Sequence, residues 1–286
     1  MANEVSNLGQ VKSYLANDKV KSRFNDVLGK KAPQFIASII NIVGSTKQLE
    51  TCEPQSVIAS AMVAASLDLP IDPNLGFSAL VPYNDTKAGV KYAQFQMMYK
   101  GFIQLAIRSG QYKKMNVAEV YEDELLEFNP ITGELIFVSN FKETTQRRNG
   151  EKDKIIGYYA FFELNTGFRK ELYMTKEDCV NHAKEYSASY KQDLKKGWSS
   201  SKWTTDFDAM AKKTVIKLLI SKWGIMTVDM QKAIIDDQKV FDEDGNGSYN
   251  DNPEQGKPDE EVIDAFNVTE ISSEPAEEPA PEAPQA

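Results

Sequence analysis

Residues 154–174, KIIGYYAFFELNTGFRKELYM, decide the fold. Two runs rich in aromatic and branched side chains, Lys154–Leu164 and Phe168–Met174, flank Asn165-Thr166-Gly167, so the stretch predicts two antiparallel strands joined by a turn. Outward from it, Met115–Tyr121 and Leu135–Val138 predict further strands, and Phe77–Tyr83 with Val90–Met98 predict a hairpin around Asn84–Gly89. Helical spacing dominates both ends. Val11–Leu28, Pro33–Val43 and Pro54–Leu69 make an N-terminal helical cluster, with Pro33 and Pro54 suited to helix starts. A helix over about Lys100–Ser109 follows the hairpin. Thr175–Tyr190 reads as a helix capped by Thr175 with Asp178 three residues on, and Lys191–Lys202 as a basic connector. WTTDFDAMAKKTVIKLLISKW, Trp203–Trp223, reads as one closing helix. Helices flanking an antiparallel β-meander and hairpin core give an α+β fold.

Charge divides the 286 residues unevenly. The net charge is -9, yet residues 1–235 hold 31 basic and 26 acidic side chains, while Asp236–Ala286 hold two lysines and sixteen acids. A mildly basic body and a strongly acidic tail point to a polyanionic partner for the body. Asp242–Ala286 is rich in Pro, Glu, Gly and Asn, a composition that buries too little apolar surface to offset its ordering entropy and predicts disorder. Cys52 and Cys179 are the two cysteines, no N-terminal signal pattern is evident, and no apolar run is long enough to span a bilayer. A cytoplasmic protein is expected.

Two polar stripes fall on helices. Lys100, Gln104, Arg108 and Gln111 recur at i, i+4, i+8 and i+11, presenting donors without carboxylates. On the closing helix, Lys212, Lys213, Lys217 and Lys222 flank an apolar arc. Either stripe by itself fits a solvated face, but two with few acids favour an anionic ligand. Phosphates suit such cations because each contact releases condensed counterions, and glutamines add neutral hydrogen bonds. Tyr99, Gln94 and Gln96 on the adjoining strand, Lys113 and Lys114 beyond the first helix, and Arg147 and Arg148 on a loop are further candidates. Tyr83, Tyr92, Tyr99, Tyr112, Trp198 and Trp203 are available for stacking, an interaction of roughly 1–3 kcal/mol per base.

Three segments carry a family resemblance. AASLDLPIDPNLGFSALVPY (Ala64–Tyr83), FQMMYKGFIQLAIRSGQYKKMNVAEVYEDE (Phe95–Glu124) and DFDAMAKKTVIKLLISKWG (Asp206–Gly224) resemble, in order and spacing, the phage RecT family of single-strand annealing recombinases. The resemblance covers roughly residues 31–230. It implies ATP-independent, non-catalytic annealing of complementary strands in phage recombination by an oligomer, a ring or helical filament, with no cofactor. The implied partners are single-stranded DNA, the annealed duplex intermediate, a second copy of the chain, a 5′-3′ exonuclease and host single-strand binding protein. The chain then divides into a helical segment 1–30 as a candidate oligomer contact, an annealing core 31–235, and the acidic tail 236–286.

Rival chemistries find little support. Gly44-Ser45-Thr46-Lys47 lacks the phosphate-loop arrangement. Asp242–Gly247 imitates the start of an EF-hand loop, but Pro253 stands where the bidentate glutamate belongs. Cys179 and His182 have C-x-x-H spacing without a second pair, and His182 is expected to be exposed. The alternative function is a metal-dependent nuclease or phosphotransferase through Asp206 and Asp208, with Glu119 or Glu122. An i, i+2 pair on a helix diverges, however, and helix capping explains both aspartates.

Overall fold

The computed structural model describes residues 7–85, 88–138, 154–241 and 247–248. Arg147, Arg148, the calcium-loop imitation at 242–246 and the tail from 249 onward lie outside these residues.

The N-terminal cluster consists of α1 (Asn7–Ala16), α2 (Asp18–Leu28), α3 (Ala32–Ser45), the single turn α4 (Lys47–Glu50) and α5 (Pro54–Ser66). The helix expected over Val11–Leu28 is broken at Asn17, whose extended backbone and side chain cap α2 by accepting the Lys19 N–H. Glu53 caps α5 in the same manner, accepting the N–H groups of Gln55 and Ser56, and Pro54 occupies the first turn. The serine and alanine face of α5 lets it lie close on the hairpin. Ser60 Oγ donates to the Ala93 carbonyl at 2.8 Å, and the Ala93 N–H donates to Ser56 Oγ at 2.8 Å. Both groups are buried, so these bonds satisfy a stretch of strand backbone that would otherwise lack a partner. Val11, Leu15 and Phe24 join Val57 and Ala61 of α5 in one continuous core.

The hairpin is β1 (Ser78–Asp85) and β2 (Val90–Met97), with Ser78 opposite Met97. After α6 (Tyr99–Arg108) come β3 (Tyr112–Tyr121), β4 (Leu125–Phe128), β5 (Leu135–Phe137), β6 (Ile155–Leu164) and β7 (Arg169–Thr175). The strands are antiparallel, as expected, but are shared among three sheets. β1 and β2 are joined by two short strands near the chain's end, β8 (Val240–Phe241) and β9 (Gly247–Ser248). β3, β6 and β7 make a second sheet, and β4 and β5 a third. The crossing of α6 between β2 and β3 separates the first two.

The last helices differ from the sequence reading at two breaks. The Thr175–Asp178 capping box starts α7 (Lys176–Tyr186) as expected, but Ser187 ends it and caps α8 (Ala188–Lys196) by accepting the Tyr190 N–H. Much of the expected connector is therefore helical. Asp193 organises the remainder, accepting the N–H groups of Ser200 and Ser201 and the hydroxyls of Ser200 and Thr204. The closing helix splits at Asp206 into α9 (Lys202–Thr205) and α10 (Phe207–Trp223). α10 crosses the inner face of β3, β6 and β7 and also packs on α6. α11 (Val228–Asp236) follows and leads into β8. Secondary structure thus continues past Asp236, where composition alone would begin the tail, into β8 and β9.

α6 is set against the turn before β1 by a glycine. A Cβ on Gly101 would strike the Phe77 carbonyl oxygen and crowd Met97 Cε. Gly101→Ala is expected to lower the unfolding free energy by about 1–3 kcal/mol, as overpacking does, measured by urea titration.

Candidate nucleic-acid interface

Beneath the expected basic face lies a buried carboxylate. Asp237 accepts Lys213 Nζ at 2.9 Å on Oδ1, Lys217 Nζ at 3.0 Å on Oδ2, and the backbone N–H of Met97 at 2.9 Å on Oδ1. Its neighbour Gln238 donates its N–H to the Phe95 carbonyl. Burial would raise the Asp237 pKa, but the two ammonium groups outweigh it and hold the carboxyl below its ordinary range. Lys213 is only 3% exposed, and burial drives its pKa down against the pull of Asp237. Both lysines were expected at the DNA, and the fold places them against this carboxylate. Lys213 is internal, and Lys217 is partly exposed but shares the same carboxylate.

Lys212 is similarly engaged. Its ammonium donates to Glu119 Oε1 at 2.6 Å and lies 5.1 Å from the centre of the Tyr99 ring. Burial works to lower its pKa, but Glu119, Tyr99 and Asp208 together hold it above the ordinary lysine value. The contact pins α10 to β3 and α6, so Lys212 and Tyr99 act first as structural partners. Arg108 donates from Nη1 to the carbonyls of Leu67 and Asp68 and stands 3.6 Å from Asp229, tying α6 to the chain after α5. Gln94, another residue expected at the DNA, is buried in β2, opposite Val81 and Val240. Periodicity identifies a helix face or strand but not which long side chain has a carboxylate folded over it.

The remaining candidates stay at the surface. Lys100 is exposed, with its stem over Gly76, while Gln104 and Gln96 are half-buried. Lys113 and Lys114 are exposed and converge on Glu163, at 2.5 and 4.0 Å, and Lys222 is exposed at the end of α10. The fold adds two residues that the stripes did not mark. Trp223, with 45% of its surface exposed, has Lys170 Nζ 4.7 Å from its ring centre and Lys222 Nζ at 6.0 Å. The adjacent Gly224 allows Tyr112 to approach closely, and the Tyr112 hydroxyl donates to the Ile225 carbonyl at 3.2 Å. Tyr112 meets Phe162 edge-on at 5.4 Å, and Lys170 is the β7 partner of Phe162. Lys170, Lys222 and Trp223 therefore gather at one end of the second sheet, while Lys113 at the same end turns to Glu163, which alternates with Phe162 along β6. The signal available in the sequence was a tryptophan directly after Lys222; Lys170 comes into range through strand pairing. Trp198 is also exposed, beneath Lys196 Nζ at 4.2 Å, whereas Trp203 is buried beside Phe207. Tyr83 and Tyr92 face each other across the hairpin and are half-buried.

Two carboxylates of the rival chemistry have structural partners, whereas the Asp206 side chain, contrary to expectation, makes no cap bond to α10. Asp208 accepts the Tyr158 hydroxyl at 2.6 Å, and Glu119 is bound by Lys212. Among the described residues, no group of three or more His, Cys, Asp or Glu is placed to hold a metal ion. His182 is half-buried rather than exposed, packed between Tyr186 and Trp203, and burial lowers its pKa. Burial pushes the Cys52 thiol up to about 11 and the Cys179 thiol up to about 12, leaving neither as a ready thiolate. No described helix is long and apolar enough to cross a membrane.

The RecT family model matches residues 33–254. The chain is 46% identical over 230 residues to the uncharacterized protein YqaK of Bacillus subtilis (strain 168), covering 80% of this chain and 72% of that protein. It is 27% identical over 195 residues to Protein RecT of Escherichia coli (strain K12), covering 67% of this chain and 65% of that protein.

Removing one member of the buried ion cluster strands the rest. Lys213→Met is expected to lower the unfolding free energy by about 3–5 kcal/mol, and adding Asp237→Asn to recover part of that loss, measured by urea unfolding. Because the Asp237 pKa is depressed in the fold, its contribution is fully present above the unfolded aspartate pKa and disappears as pH falls through the folded value. The destabilisation by Asp237→Asn should therefore be large at neutral pH and shrink in acid.

Proposed function

The chain belongs to the RecT family, and from that premise we propose that it binds single-stranded DNA and anneals complementary strands without ATP, working as an oligomer. The observation that carries this reading is that the family match spans the elements bearing the candidate DNA-contacting cations, from Lys100 through Lys222. Annealing asks a protein to neutralise two sets of phosphates while leaving bases free to test one another. It makes and breaks no covalent bond, so it requires no nucleophile or general base.

In this arrangement the internal lysines shape the surface and the outer ones touch DNA. Lys100, Lys113, Lys114, Lys170 and Lys222 meet phosphates, with Gln104 adding a neutral hydrogen bond. Trp223 offers a face on which a base can stack. The axial distance along α10 from Lys212 to Lys222 is about 15 Å at a helix's rise per residue, room for a few nucleotides. A 5′-3′ exonuclease that exposes the strand and a single-strand binding protein that first coats it are the partners such a task calls for, in the cytoplasm of a bacterial host.

The test mixes two complementary 40-mers without ATP and follows duplex formation. The wild-type chain is expected to accelerate annealing, and Lys222→Ala/Trp223→Ala to slow it about tenfold, in keeping with the loss of one stacking contact and one phosphate contact. Binding should weaken with salt, with a slope reduced by about 0.7 for each phosphate-contacting lysine removed. A folded double variant that anneals at the wild-type rate would remove this cluster from the site, and a wild-type chain that gives no acceleration would remove annealing itself.

A further inference from the structure

A groove of about 390 Å³ opens between the α1–α2 corner, α5 and the start of the last sheet strands. Its floor is apolar. Ile58 and Met62, one turn apart on α5, line it with Val20 of α2 and Phe241 of β8. Its rim is cationic. Lys19 and Arg23, one turn apart on α2, stand with Lys232 of α11, and no carboxylate is among the lining residues. Lys232 also meets Asp236 at 3.4 Å while remaining partly exposed. The groove lies in the N-terminal cluster, away from Trp223 and β7, and the annealing reading makes no use of it.

We propose that this groove binds residues 259–271 of the same chain, DEEVIDAFNVTEI. Three observations converge on that occupant. The groove selects an apolar peptide with acidic flanks, because its floor excludes water and its rim carries like positive charge. Past Phe241, the chain's only Val, Ile, Leu, Met or Phe residues are Val262, Ile263, Phe266, Val268 and Ile271, interspersed with Asp259, Glu260, Glu261, Asp264 and Glu270. The chain also enters its acidic stretch at the groove itself, since Phe241 is a lining residue. Because β9 brings Ser248 back beside Val240, thirteen residues separate the fixed end of the chain from Val262, and even a random coil of that length averages about 20 Å between its ends, enough to fold back. Tethering at such a distance supplies a high effective concentration, so a modest apolar contact suffices for occupancy.

The test uses the full chain. Hydrogen exchange is compared for wild type, Phe266→Asp in the acidic segment, and Lys19→Glu/Arg23→Glu on the exposed rim. Both variants are expected to speed exchange about fivefold at residues 18–24 and 55–63 while leaving α10 unchanged, because docking protects only what it covers. Equal exchange in all three proteins would overturn the proposal. An Ala59→Cys/Ala265→Cys chain, in which native Cys52 and Cys179 are buried, separates same-chain from neighbour docking on mild oxidation. A disulfide within one chain supports the proposal, whereas a disulfide between chains or none overturns it.

Discussion

The carboxylate of Asp237 is the constraint on which the rest of the structure depends. It joins three parts of the molecule at one point: the long helix through Lys213 and Lys217, the edge of the hairpin through the Met97 N–H, and the segment leading into β8. A buried lysine without a counter-ion is costly, and so is a buried aspartate, so each makes the position of the other obligatory. α10 is thereby held at a set depth relative to β2. From that placement follow the Lys212–Glu119 contact with β3 and the projection of Trp223 beyond the sheet's end.

This arrangement separates lysines that composition treats as equivalent. Inward ones position helices, and outward ones stay at the surface. The inward group also explains why the long helix carries so little acid of its own, since its counter-charges arrive from Glu119 and Asp237, elements distant in sequence. A basic helix need not be a binding surface; it can be one half of an internal ion cluster whose other half is supplied by the fold.

Local signals were legible in the sequence, and long-range ones were not. The capping box at Thr175 and Asp178 and the turn at Asn165–Gly167 involve near neighbours and were identifiable from spacing. The breaks at Asn17, Ser187 and Asp206 were hidden because apolar periodicity continues through them, and a cap inside such a pattern resembles an ordinary polar face. The strand pairing around residues 154–174 was correctly indicated, but its division into separate sheets depends on how α6 crosses, which periodicity does not encode. In the candidate interface, Lys100, Lys113 and Lys222 keep the exposure their spacing suggests. Lys213 does not, because its partner stands 24 residues later in a stretch that composition assigns to the tail. Lys170 was missed for the converse reason, since its approach to Trp223 is created by tertiary packing.

The bond between Met97 and Asp237 spans 140 residues, which sets a timetable as well as a geometry. A chain emerging from a ribosome presents its hairpin and helical cluster long before residue 237 exists. At about 5–20 residues per second, Lys213 precedes its counter-ion by roughly one to five seconds, and during that interval α10 carries two ammonium groups that cannot be buried. The two sheets can form early, but their docking through α10 must wait until Asp237 has emerged. The hairpin, the second sheet and α10 are therefore locked together by a residue made after all of them.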